Sequence, residues 1–139
     1  IAQIFAGLQE WKKNNTFGAT AFTAYGSFWL SLVALWLIPS TSFGAAYKSS
    51  ETAIGWYLLL WGVFTLFMFV GTLKLSRLLQ VVFITLTILF FLLSASVFTG
   101  NATLHQVAGY EGIICGGSAF YGCVAQVLNE VYGRKVLPV

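Results

Sequence analysis

"LLQVVFITLTILFFLLSASVFT", residues 78–99, decides the fold. It holds no charge, one amide (Gln80) and five hydroxyls among branched and aromatic side chains. A run of about twenty apolar residues is the length that a helix needs to cross a hydrocarbon core ~30 Å thick. Inside lipid the backbone must satisfy its own hydrogen bonds, so a run of this kind is a helix rather than a strand. Three more stretches read the same way: residues 17–38, 53–73 and 107–129, the last with a single acid, Glu111. Residues 1–10, "IAQIFAGLQE", are apolar but too few to span, and read as the last half of a helix. The fold class expected is an all-α polytopic membrane protein, a helical bundle with four complete spans and one partial one. It is expected to form a single transmembrane domain over residues 1–139, with a tail at residues 130–139.

Composition supports a bilayer as the solvent. Of the 139 residues, 58% are hydrophobic and only 8% charged, where a soluble domain carries about a quarter charged. The connections, residues 39–52, 74–77 and 100–106, are short, so consecutive helices are antiparallel neighbours. Lys12, Lys13, Lys74, Arg77, Arg134 and Lys135 fall on one side of the membrane and only Lys48 on the other. That asymmetry places the C-terminus in the cytoplasm. Trp11 near one boundary, and Trp36, Tyr47 and Trp56 near the other, suit interfacial aromatic belts.

The same residues exclude several activities. The net charge of +3 is spread over loops, with no clustered basic face for nucleic acid. Cys115 and Cys123 lie eight residues apart on one helix, too far to bridge, and read as small packing residues. His105, in the expected outer loop "GNATLHQ", is the only histidine and has no visible metal partner, nor a second histidine to ligate haem. No phosphate-binding glycine loop, Ser/His/Asp set or acid pair occurs, so no enzyme, cofactor or metal is expected.

Two helices carry polar stripes. At 100° per residue, Thr16, Thr20, Thr23, Ser27 and Ser31 fall within roughly an 80° sector, opposite Tyr25, Trp29, Gly18 and Phe22. The hydroxyls can bond back to their own helix, tie helices together, or line a path. On the last span Glu111, Ser118, Gln126 and Asn129 share a face with Cys115 and Gly122. An ionisable residue in a span is a functional candidate; at its distance from the outer boundary, Glu111 reads as either a vestibule or an interfacial residue. Gly112 and Gly116 form a G-x-x-x-G pair for close helix packing. With no Lys or Arg deep in a span, any path handles its solute with hydroxyls, amides and aromatic edges. It suits a small weak acid or an uncharged molecule.

Four blocks, "IAQIFAGLQEWKKNNTFGATAFTAYGSFW", "LWGVFTLFMFVGTLK", "RLLQVVFITLTILF" and "VLNEVYGRKVLP", together resemble the bacterial succinate–acetate permeases of the acetate uptake transporter family. The resemblance covers essentially the whole chain. It implies six spanning helices in the intact protomer, both termini cytoplasmic, a homo-hexamer in the bacterial inner membrane, and a substrate path in each protomer. The family's first helix and its Asn-Pro-x-Pro-Leu-Gly-Leu motif have no counterpart here. The family's apolar constriction carries over to Tyr25 and Leu86, and its size-determining small residue to Ala119. Further path or vestibule candidates are Gln3, Thr20, Trp29, Glu111, Ser118, Tyr121 and Gln126. At Gln126 this chain has a neutral amide where the family carries an acid. The expected solute is acetate or a related short carboxylate, with succinate included, moved in a proton-linked or acid-favoured way. A channel for urea, ammonia or water and a non-transporting structural subunit remain the alternatives.

Overall fold

The computed structural model describes residues 1–139, and they form helices α1 (Ala2–Lys12), α2 (Thr16–Leu37), α3 (Glu51–Thr72), α4 (Arg77–Thr99) and α5 (Ala102–Val131). Two single 3₁₀ turns, Ile38–Ser40 and Ala45–Tyr47, lie between α2 and α3. The last four α-helices are long and apolar enough to cross a membrane. The chain divides into two compact units, Ile1–Ser50 and Glu51–Val139.

In the first unit α1 packs on α2. Asn14 turns the chain with φ 58°, a left-handed conformation that asparagine tolerates better than most residues. Asn15 then caps α2, its Oδ1 accepting from the Gly18 N–H at 3.0 Å while its Nδ2 donates to Glu10 at 2.6 Å. Lys13 reaches the other oxygen of Glu10 at 3.3 Å. The two helices meet backbone to backbone. A Cβ on Gly7 would lie 2.9 Å from the Thr23 nitrogen, and one on Gly26 would lie 3.1 Å from the Ile4 nitrogen. Small residues permit this approach where hydrocarbon offers no hydrophobic drive for association. Pro39, lacking an N–H, falls where α2 gives way to a 3₁₀ turn.

The second unit is a three-helix array in which α4 packs against both α3 and α5. Here the glycines hold side chains. The Phe98 ring lies over Gly55, Phe91 over Gly62 and Leu78 over Gly122. Ser94, buried, donates across the α3–α4 interface to the Gly55 carbonyl at 2.9 Å. The buried hydroxyls of Thr65, Thr72 and Thr87 donate instead to carbonyls of their own helices, at 2.7, 2.6 and 2.7 Å. These buried hydroxyls are thereby satisfied, as hydrocarbon surroundings require.

The first turn of α5 departs from expectation. Residues 102–106 are helical rather than loop, so His105 sits on α5 and the connection shrinks to Gly100 and Asn101. Gly100 leaves α4 in the left-handed conformation, φ 63°. Asn101 Oδ1 then accepts from the Thr103 and Leu104 N–H groups at 2.9 and 3.2 Å. Cap and turn residue stand side by side, and that pair starts the helix a turn early. At 30 residues, α5 rises about 45 Å. That exceeds a ~30 Å hydrocarbon core, and the earlier start puts Glu111 nine residues, about 14 Å, in from Ala102.

Candidate functional site

In the first unit α2 buries residues on more than one side, Ala19 and Gly26 as well as the side that holds Tyr25. Tyr25 is buried, 7% exposed, on the face that also buries Gly18, Ala21, Phe28 and Leu32. Thr20 and Trp29 are exposed, the Trp29 ring meeting Phe28 edge-on at 5.2 Å. Gln3 is half-buried on α1, beside Gly26. The hydroxyl stripe bonds to its own helix: Thr23 donates to the Ala19 carbonyl at 2.6 Å, Ser27 to Thr23 at 2.8 Å and Ser31 to Phe28 at 2.9 Å. A hydroxyl has one proton. Once it is donated to a helix carbonyl, it is withheld from a passing carboxylate. Of the readings left open by sequence, back-bonding describes these three residues.

In the second unit Leu86 is half-buried on α4, one turn beyond Val82 and just before Leu89. Val82 and Leu89 both face α5: the Cys115 thiol lies 3.9 Å from the Val82 carbonyl, and Leu89 packs on Gly112. Ala119 is exposed, as are Gly109, Gly116 and Gly117, beside which a Cβ would meet nothing within 4 Å. Of the G-x-x-x-G pair, therefore, only Gly112 touches a neighbour within the chain.

The polar line on α5 is heterogeneous. One carboxylate oxygen of Glu111 is buried without a hydrogen-bond partner. Ser118 donates to the Cys115 carbonyl at 2.7 Å, and Gln126 is exposed. Asn129 and Tyr121 hold the chain's last residues. Asn129 Nδ2 donates to the Leu137 carbonyl at 2.8 Å, while its Oδ1 accepts from the N–H groups of Val136 and Leu137 at 2.6 and 2.9 Å. The Tyr121 hydroxyl donates to the Pro138 carbonyl at 2.9 Å. Sequence reading placed Tyr121 and Asn129 on α5 without this clasp; its only local trace is an asparagine followed four residues later by the turn-forming Gly133.

At the opposite end of α5, a recess of about 410 Å³ is lined by Glu51, Ser96, Asn101 and His105, among others. Ser96 donates to the Leu93 carbonyl at 2.8 Å, and its hydroxyl lies 3.4 Å from His105 Nδ1. No group of three or more His, Cys, Asp or Glu side chains could hold a metal ion.

This helical arrangement is shared with known proteins. The sequence profile of the GPR1/FUN34/yaaH family matches residues 1–137. The chain belongs to that family. It is 58% identical, over all of its 139 residues and 73% of the relative, to the succinate-acetate/proton symporter SatP of Escherichia coli K12. A more distant relative, the ammonia transport outward protein 2 of Saccharomyces cerevisiae, is 37% identical over 94% of this chain and 47% of its own length. Among solved structures, one described as the bacterial acetate channel SatP superposes with a TM-score of 0.92 at 55% identity, covering 99% of this chain and 75% of that one. The all-helical membrane fold expected from sequence is the fold that this family adopts. These two relatives and the solved channel are named for transport, not for catalysis.

Proposed function

We propose that this chain conducts acetate and related short carboxylates, succinate among them, across the inner membrane of a bacterium. The observation that carries the reading is 58% identity across the whole chain to a succinate-acetate/proton symporter. The chain works as one transmembrane domain with its C-terminus in the cytoplasm, the side where six of its seven Lys and Arg residues fall. It assembles as a homo-hexamer, and the exposed glycines and Ala119 of α5 give other helices a surface for close approach.

Each protomer carries its own path. Tyr25 and Leu86 supply apolar surface to the narrowest part, which rejects large or strongly hydrated ions, and Ala119 limits solute size. Lower-weight path or vestibule positions are Gln3, Thr20, Trp29, Glu111, Ser118, Tyr121 and Gln126. The burial of Tyr25 supports its role, since a ring held in one orientation defines a fixed aperture. A carboxylic acid with a pKa of about 4–5 is mostly ionised at neutral pH. Lowering the external pH raises the neutral fraction and the inward proton gradient together, so uptake rises as pH falls.

Uptake of labelled acetate into proteoliposomes tests this. Flux above that of empty liposomes, changed by Tyr25→Ala and by Leu86→Ala in the assembled protein, is the expected result. No acetate flux at any pH, with ammonia or urea flux intact, sinks it. A second reading, passage of a small neutral solute such as ammonia, is favoured by the yeast relative's name, and the same vesicles decide between the two.

A further inference from the structure

The residues after α5 fold back onto it through a defined joint. Gly133 turns the chain with φ 59°, a conformation that glycine adopts without strain. Arg134 and Lys135 form the exposed tip of the turn. Residues 136–138 then run beside α5, tied by the four hydrogen bonds to Asn129 and Tyr121. None of residues 136–139 is fully buried. The strap is held by polar contacts rather than by a core, so it can open without unpacking the helices.

The chemistry of the joint is specific. Two of the four bonds run from side-chain donors, Tyr121 Oη–H and Asn129 Nδ2–H, to the carbonyl oxygens of Pro138 and Leu137. Both donors are neutral, both project from the helix that carries Glu111, Ser118 and Gln126, and both are groups that a carboxylate oxygen accepts from. We propose that Tyr121 and Asn129 form a carboxylate-binding subsite at the C-terminal end of α5, and that residues 136–138 occupy it as an internal competing ligand. A carboxylate arriving at Tyr121 and Asn129 displaces the strap, which swings on Gly133; the strap, returning, displaces the carboxylate. The subsite extends the transport reading to one end of the path and rests on it.

The test has two arms on the full protein. In detergent, where trypsin reaches both faces, release of the peptide following Lys135 is followed by mass spectrometry. Acetate is expected to accelerate that release and chloride of equal ionic strength is not. Tyr121→Phe combined with Asn129→Ala is expected to make release fast and indifferent to acetate. In proteoliposomes, deleting the chain from Val136 onward leaves both donors in place. It is expected to lower the half-saturating acetate concentration about threefold or more, because apparent affinity scales with the unoccupied fraction of sites. The two donor substitutions, added to the deletion, abolish that gain. Cleavage unaffected by acetate in the wild-type protein overturns the proposal and leaves the strap a structural tie. So does an unchanged half-saturation in an assembled deletion variant. Absence of acetate flux in the wild-type protein sinks the transport reading instead, and the cleavage arm still reports on the subsite.

Discussion

The hairpin of α1 and α2 and the array of α3, α4 and α5 use glycine in opposite ways. In the hairpin, Gly7 and Gly26 bring one backbone against another, with main-chain nitrogens 2.9 and 3.1 Å from where a Cβ would stand. In the array, Gly55, Gly62 and Gly122 are notches that receive the side chains of Phe98, Phe91 and Leu78. The first kind of contact cannot yield, because a backbone is held by its own hydrogen-bond ladder. The second can, because a side-chain end can rotate or shift. One residue type therefore sets the helix separation in one unit and shapes side-chain packing in the other.

The comparison can be broken by substitution, read as thermal or denaturant stability of the purified protein. The largest effect is expected at a ring in the array: Phe90, 3% exposed, replaced by alanine leaves a cavity that costs about 3–5 kcal/mol. Gly7→Ala is expected to cost up to about 3 kcal/mol, since the clash is with main chain and the hairpin must separate. Ser94→Ala removes the α3–α4 bond but leaves a carbonyl that still accepts within its own helix, so about 1 kcal/mol is expected. Asn15→Ala strips the cap of α2 and is expected to cost about 1 kcal/mol. Gly122→Ala, meeting only the end of Leu78 at 2.9 Å, is expected to cost least, under about 1 kcal/mol. If Gly7→Ala and Gly122→Ala prove equally mild, the distinction between backbone and side-chain contacts fails.

Much of this fold was legible without coordinates. Four apolar runs and a shorter leading one appear as α2, α3, α4, α5 and α1, with boundaries shifted by at most five residues. The reason is the solvent: hydrocarbon sets the length of a span and allows the backbone only one local solution, so composition alone locates the helices. The largest boundary error, at residues 102–106, arose where composition is mixed and a cap decides. Asn101 and Gly100 carry that signal, but "GNATLHQ" reads equally well as a polar loop until the Thr103 and Leu104 N–H groups are seen on Asn101.

What sequence periodicity could not assign was the destination of each hydroxyl and amide. The stripe of Thr23, Ser27 and Ser31 has the same spacing whether it lines a path or bonds to its own helix, and only the geometry showed the carbonyl one turn back as acceptor. Tyr121 read as a path or vestibule candidate, and Asn129 as one more member of a polar face. Their partners lie 17 and seven to eight residues further along the chain, beyond a turn whose direction depends on a single positive φ at Gly133. The bilayer's demand for apolar length is written in every residue of a span, so sequence alone determined where the helices run. Which donor meets which acceptor depends on where folding carries each group, and that only the tertiary structure decided.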